Sequence, residues 1–190
     1  HSFSKRFFTE KFENENIDAR YELYALDDIS KFTALIQDVE LNGLNVTIPY
    51  KEKVIPFLDM LDETAAKIGA VNVIRFDREN GELKLTGFNS DAIGFENSLK
   101  PHLQAHHTQA LILGTGGASK AIKYVLEKLG IQTTYVSRTA KQGQLTYKEL
   151  NEEIIKTYTV IVNASPVGTF PHTDECPVIP YQFLSDRHLL

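Results

Sequence analysis

The sequence predicts an α/β protein of two domains, and three observations predict it. Short apolar strand patterns alternate with amphipathic helical patterns. A glycine-rich turn in the second half joins a buried strand to such a helix. The pattern breaks at Pro101 and the polar run "HLQAHHTQ", which sets a boundary between residues 1–101 and 102–190.

In the first half, Phe3, Phe7, Phe8 and Phe12 recur at helical spacing and predict a helix over 3–16. "ARYELYAL" reads as a strand. "DISKFTALIQDV" reads as a helix with Asp28 or Ser30 as its cap. Leu44 to Ile48 form a second strand pattern. "YKEKVIPFLDML" resumes helical spacing through Val54, Leu58 and Leu61, with Pro56 tolerated in the first turns. "DETAAKIGA" is a short helix. "VNVIRFD" and "ELKLTGFN", joined by "RENG", predict adjacent strands with a glycine-bearing turn. "DAIGFENSLK" is a helix.

In the second half, "QALILG" is a short apolar strand. "ASKAIKYVLEKLG" places Ala118, Ala121, Ile122, Val125, Leu126 and Leu129 on one face, with Gly130 as its stop. "QTTYVSR" is a strand, "YKELNEEIIK" a helix and "YTVIVNAS" a strand. This order implies a parallel sheet covered on both faces.

Composition narrows the function. The 190 residues are 42% apolar and 24% charged, enough to bury a core. The net charge of −5 argues against a nucleic-acid surface, which needs a basic patch. Apolar runs fall far short of the roughly 20 residues that span a bilayer, and no secretory signal is expected. Cys176 is the only cysteine, so no internal disulfide is possible, which agrees with a reducing, cytoplasmic setting. His106–His107 have no third ligand at useful spacing and read as linker, so no metal is expected. Cys176 lies in the polar loop "PHTDECP" and reads as incidental.

The turn "LILGTGGASKA" places Gly114, Gly116, Gly117 and Ala118 between strand and helix. Gly114 permits a tight turn. Gly116 lets the backbone approach a pyrophosphate, whose charge the helix start favours. Ser119 holds the third glycine position of the usual fingerprint. NAD-binding folds place an acid roughly 20 residues further on, for the ribose 2′-hydroxyl. Here the next strand ends in Ser137, Arg138 and Thr139. A guanidinium with two hydroxyls would hold a 2′-phosphate that a carboxylate would repel, so NADP is the expected cofactor.

The strand pattern Leu44–Ile48 ends in a cluster of amide, hydroxyl and ammonium groups around Asn45, Thr47 and Lys51. Taken singly, Lys51 reads as a solvated lysine at a helix start and Asp91 as a helix N-cap. Thr47 reads as an outward strand residue and Asn72 as a strand-end residue. Ser2 and Ser4 read as a cap and a polar face.

Together, "HSFS", "NVTIPYKE", "GAVNV", "GFNSDAIGF", "GTGGASKA", "SRT" and "NASPVGTFP" resemble the shikimate dehydrogenase family in order and spacing, over essentially the whole chain. The resemblance implies NADP-dependent reduction of 3-dehydroshikimate to shikimate, on the route to aromatic amino acids. It implies an N-terminal α/β substrate domain and a Rossmann-like dinucleotide-binding domain, with the active site in the cleft between them. It puts the catalytic Lys–Asp pair on Lys51 and Asp91, the substrate-carboxylate hydroxyls on Ser2 and Ser4, and further hydroxyl-binding groups on Thr47 and Asn72. The polar cluster after the second strand would then be the substrate pocket.

The chain departs from the family at three motif positions. Ser90 replaces a threonine, Ser137 an asparagine and Lys5 a proline. The resemblance also implies a strand before His1 and helices after Leu190, so the chain is expected to be part of a longer protein with an incomplete C-terminal domain. A dehydrogenase that also takes quinate is one alternative. A non-catalytic nucleotide- or metabolite-sensing module is another, which retention of both Lys51 and Asp91 disfavours. The partner is a small-molecule substrate, and the assembly expected is a monomer or homodimer.

Overall fold

Four phenylalanines on one helical face open the chain, and the helix they predict is present as α1 (Phe3–Asn14). The computed structural model describes residues 3–37 and 41–190. α1 belongs to a first compact unit, His1–Asp38, and Val39–Leu190 form a second. The helix stops short of the predicted Asn16 because Asn16 turns left-handed at φ 53°. Ile17 N–H then donates to the Phe12 carbonyl at 2.9 Å, and Asn16 N–H donates to the Glu13 carbonyl. These bonds satisfy carbonyls that a helix end leaves open. The chain folds back so that Phe8 stacks on Tyr21, ring centroids 5.1 Å apart, and Lys5 pairs with Glu22 at 2.8 Å.

The strand predicted for "ARYELYAL" is not formed: residues 19–26 join no ladder among the described residues. Its residues alternate as a strand's do, but a strand also needs a neighbour whose N–H and C=O groups meet its own. The next predicted helix is cut down to a 3₁₀ turn, Ile29–Lys31, and α2 (Phe32–Leu35). Of the two candidate caps Asp28 acts, accepting from Ser30 N–H at 2.8 Å. The end of that predicted helix, 38–39, lies outside the described residues.

The second unit begins with β1 (Gly43–Asn45), shorter than the Leu44–Ile48 pattern. Helical spacing in "YKEKVIPFLDML" yields turns and a 3₁₀ segment, Ile55–Phe57, rather than a helix. Val54 N–H closes one helical bond to the Tyr50 carbonyl. Pro56 has no N–H to continue the series, and the chain straightens into β2 (Met60–Leu61). α3 (Glu63–Ile68) follows, capped by Asp62, which accepts from Thr64 and Ala65 N–H. β3 (Val73–Glu79) and β4 (Glu82–Phe88) pair antiparallel across a two-residue turn. Asn80 and Gly81 there have φ 54° and 83°, the left-handed pair that matches hairpin twist. The sheet order is β1-β3-β4-β2, with β2 parallel to β4. α4 (Ser90–Leu99) follows the inner strand β4, and a 3₁₀ turn, Lys100–His102, contains Pro101.

The second sheet is parallel throughout: β5 (Gln109–Leu113), β6 (Gln132–Ser137), β7 (Leu145–Thr146) and β8 (Val160–Asn163), in the order β7-β6-β5-β8. α5 (Gly117–Lys128) and α6 (Glu152–Thr157) connect them. Along β5 the period of two divides the core. Leu111 and Leu113 pack with Val136, Ile155 and Ile161 on one face, and Ala110 and Ile112 pack with Leu99, Leu126 and Ile131 on the other. A sheet buried on both faces is why "ALIL" is unbroken apolar sequence. The helix predicted over "YKELNEEIIK" is interrupted. Thr146 and Glu149 close a capping box around Tyr147–Glu149, and Asn151 starts α6 afresh by accepting from Ile154 N–H at 3.0 Å.

Small residues join the two sheets' helices. Ala70, Ala92 and Ala121 pack with Ile68 and Val125 in one cluster. Glu96 of α4 takes Lys100 at 2.6 Å and Lys128 of α5 at 2.7 Å. The "HLQAHHTQ" stretch is a clasp as well as a connection. Gln104 N–H donates to His107 Nδ1 at 3.0 Å, and His107 Nε2 therefore donates to the Arg187 carbonyl at 3.1 Å. Among the described residues, no helix is long and apolar enough to cross a membrane.

Candidate active site

Backbone pairing brings the first group of polar side chains together. Val46 N–H donates to the Asn72 carbonyl at 2.8 Å, Val71 N–H to the Lys51 carbonyl at 2.7 Å, and Asn72 N–H to the Phe88 carbonyl at 3.0 Å. Lys51, Asn72 and the start of α4 are thus neighbours although they lie in three separate stretches of sequence. The Lys51 ammonium donates to Asp91 Oδ2 at 2.7 Å. Asn72 Nδ2 donates to Asp91 Oδ1 at 2.7 Å and to Ser90 Oγ at 3.0 Å, while Ser90 N–H donates to Asn72 Oδ1 at 2.8 Å. Both carboxylate oxygens and both ends of the amide are therefore engaged.

Asp91 sits in the first turn of α4, the end of a helix where a carboxylate is favoured. It is not the cap. Asn89 is, accepting from Ala92 N–H and donating to the buried Ala70 carbonyl at 2.9 Å. The cap reading of Asp91 is thus corrected: a neighbour two residues earlier does that work, and the Asp91 carboxylate turns to Lys51. Lys51 is not a solvated lysine either, with its side chain 15% exposed against 36% for Asp91. A pair in this setting keeps enough water at the carboxylate for a substrate to reach it.

Thr47 is exposed, one residue beyond Val46 and its bond to Asn72, and its carbonyl accepts from Tyr50 N–H at 2.9 Å. Ser4 lies half-buried in α1, in the first unit. Ser2 lies outside the described residues.

The second group surrounds the end of β5. Gly114 N–H donates to the Val136 carbonyl and Ala164 N–H to the Leu113 carbonyl, both at 2.9 Å. Gly114 thus stands between the ends of β6 and β8, where chain order reverses across the sheet and α/β folds open a crevice. Its φ is 113°, and a Cβ there would lie 3.0 Å from the Ala164 carbonyl oxygen. Gly116 caps α5, and a Cβ built on it meets nothing within 4 Å. Ala118 is half-buried in the first turn. Ser119, in place of a third glycine, is fully buried, and its hydroxyl donates to the Gly116 carbonyl at 2.6 Å. The serine closes the turn from within.

At the end of β6, Ser137 Oγ accepts from Thr139 N–H at 3.3 Å, and Arg138 and Thr139 are exposed. Burial pushes the Tyr147 phenol above its ordinary value, with the Arg138 guanidinium opposing; Arg138 follows Ser137, which pairs with Thr146 of β7. A dinucleotide fits this arrangement on two observations. The space over Gly116 leaves its backbone open to a phosphate, and at the end of the adjacent strand stands Arg138, which makes no ion pair among the described residues.

The two groups meet. A Cβ on Gly117 would stand 3.3 Å from Lys51 Cβ and 3.6 Å from its Cδ. Glu52, the next residue, pairs with Lys120 on α5 at 2.5 Å. Sequence reasoning found neither contact, nor the Ser90–Asn72 bonds and the Asn89 cap. Asn89 carried a local signal, an asparagine just before a helical pattern. The contacts across 68 positions, Glu52 to Lys120, carried none.

Residues 1–74 match the family model described as the shikimate dehydrogenase substrate binding domain. The chain is 34% identical to a protein of Aquifex aeolicus named shikimate dehydrogenase (NADP(+)), across 100% of this chain and 72% of that one. A crystal structure of shikimate dehydrogenase from Aquifex aeolicus superposes with a TM-score of 0.82 at 31% identity, covering 100% of this chain and 73% of the other. The Thermus thermophilus enzyme, solved in complex with NADP(H) and shikimate, superposes with a TM-score of 0.77 at 27% identity, covering 97% and 70%.

Proposed function

The chain belongs to the shikimate dehydrogenase family, and on that premise we propose that it catalyses the reversible NADP-dependent reduction of 3-dehydroshikimate to shikimate. The observation that carries the reading is the Lys51–Asp91 pair at 2.7 Å, set against the start of the glycine-loop helix. A sensor would need the loop but not a proton-transfer pair beside it.

NADPH, when bound, supplies the hydride; the residues that would hold it are Gly114, Gly116, Gly117 and Ala118 for the pyrophosphate and Ser137, Arg138 and Thr139 for the 2′-phosphate. The chain supplies orientation and the proton. Hydride reaching a ketone carbon leaves charge on its oxygen. The Lys51 ammonium stabilises that charge and the Lys51–Asp91 pair delivers the proton. Asn72 keeps Asp91 turned toward Lys51, and the family resemblance assigns it, with Thr47, to the substrate's hydroxyls, for which its amide would exchange a bond to Ser90. The matching "HSFS" motif assigns the substrate carboxylate to Ser2 and Ser4. The same proposal divides the chain into a substrate domain, 1–101, and a dinucleotide domain, 102–190. It takes the enzyme as cytoplasmic, in keeping with the lone Cys176, and as a monomer or homodimer.

The test is shikimate-dependent reduction of NADP, followed at 1:1 comparison with NAD. Robust turnover with NADP is expected. Nucleotide binding without turnover would sink the enzyme reading in favour of a sensor. Sedimentation of the same sample reads the assembly.

A further inference from the structure

We propose that Gly117 is a positioning residue for Lys51: the start of α5 serves as the seat on which the lysine stem rests, so that the dinucleotide loop and the proton-transfer pair are held in fixed register. The inference rests on the function proposed above and adds a role distinct from phosphate binding.

Three observations carry it. The Lys51 stem approaches Gly117 so closely that even one added carbon would stand 3.3 Å from Cβ and 3.6 Å from Cδ. Gly116 beside it has open space instead, so the two glycines have different neighbours and different reasons to lack a side chain. The stem also has little freedom to give way. Its backbone carbonyl is tied to Val71 N–H at 2.7 Å, and its ammonium is tied to Asp91 at 2.7 Å. Any carbon added at Gly117 is therefore taken up by moving the ammonium, or by moving α5 and the loop with it. The Glu52–Lys120 pair, one residue on from Lys51 and three on from Gly117, holds the two together from the side.

A glycine kept for strained backbone would show a left-handed φ, and Gly117 has none in that range. Alanine is thus admissible to the backbone and is the better helix former, so Gly117→Ala is expected to fold. It displaces Lys51 by a few tenths of an ångström. Since a misplacement of about 1 Å can cost about 10²-fold, kcat at saturating NADPH should fall about three- to tenfold, while the dissociation constant for NADPH, read by fluorescence titration, reports separately any loss of pyrophosphate approach at the same glycine.

A second readout needs no cofactor. In the intact apo protein, Lys51 should be acylated by an amine-reactive probe at least about twofold faster in Gly117→Ala, as peptide mass spectrometry would read, because its hold on Asp91 is loosened. Glu52→Gln and Lys120→Gln serve as milder variants. Each should lower kcat about two- to threefold and raise Lys51 labelling, and the double variant should be no worse than either alone.

Weakened NADPH binding with unchanged kcat would assign Gly117 to phosphate approach alone and overturn the proposal. So would a fall in kcat with Lys51 labelling unchanged in Gly117→Ala and in both milder variants. Wild-type protein without shikimate-dependent turnover would sink the enzymatic reading instead, and the labelling comparison would still decide whether Gly117 seats Lys51.

Discussion

The Lys51 ammonium and the Asp91 carboxylate, 40 positions apart along the chain, meet at 2.7 Å. Neither is fully buried, and Asp91 has a second donor in Asn72. The pair is therefore held in place while its carboxylate keeps contact with water.

If the pair moves the proton, Lys51→Ala should lower kcat by about 10²- to 10⁴-fold with a much smaller rise in KM, since the ammonium acts on charge that develops in the transition state. Asp91→Asn should lower kcat as well. The cost to stability should stay below the roughly 3 to 5 kcal/mol of breaking a fully buried pair, because 36% of the Asp91 side chain is exposed. A Lys51→Ala enzyme with wild-type kcat would remove lysine from the chemistry.

Arg138 should separate two cofactors that differ only at one phosphate. A hydrogen bond to a charged group is worth roughly 1.5 to 3 kcal/mol, about tenfold to a hundredfold in preference. Arg138→Ala should therefore lower kcat/KM for NADP by about that factor relative to NAD at saturating shikimate. Equal losses for both would mean that Arg138 supports the adenine or the fold.

Asn89 is the stability counterpart of Asp91. It caps α4, and its amide reaches the Ala70 carbonyl while only 3% exposed. Asn89→Ala should cost about 2 kcal/mol in urea unfolding, about 1 for the cap and about 1 for the buried bond. Asn89→Ser keeps the cap alone and should recover about half. A change within error in both variants would show that the cap is idle.

Glu96 should give stability a dependence on acid. Its carboxyl is held below the usual carboxylate range, first by the hydrogen bond from Lys100 and then by that from Lys128. A lowered folded-state value means the contribution is fully present above the ordinary carboxylate value of about 4.3 and is lost as pH falls through the folded value. The difference in Tm between wild type and Glu96→Gln should be constant near neutrality and shrink below about pH 4.3. A difference unchanged at pH 3 would exclude titration of Glu96 as its source.

The sequence by itself determined the elements whose signals are local. Apolar alternation and helical spacing marked β3, β4, β5, α5 and β8, because burial on one or both faces writes itself into neighbouring residues. The glycine turn and the place of Arg138 at a strand's end were legible for the same reason: a tight turn and a strand's end are marked by neighbouring residues. Where a segment needed a partner, reading failed. "ARYELYAL" has a strand's alternation and no ladder, and the spacing of Val54, Leu58 and Leu61 could not outweigh one missing N–H at Pro56. Only the tertiary structure decided that Asn89 caps α4 and leaves Asp91 to Lys51, that Glu52 reaches Lys120, and that the lysine stem rests on Gly117. Those contacts join residues far apart in the chain, and their geometry follows from strand register and helix packing, which no local pattern encodes.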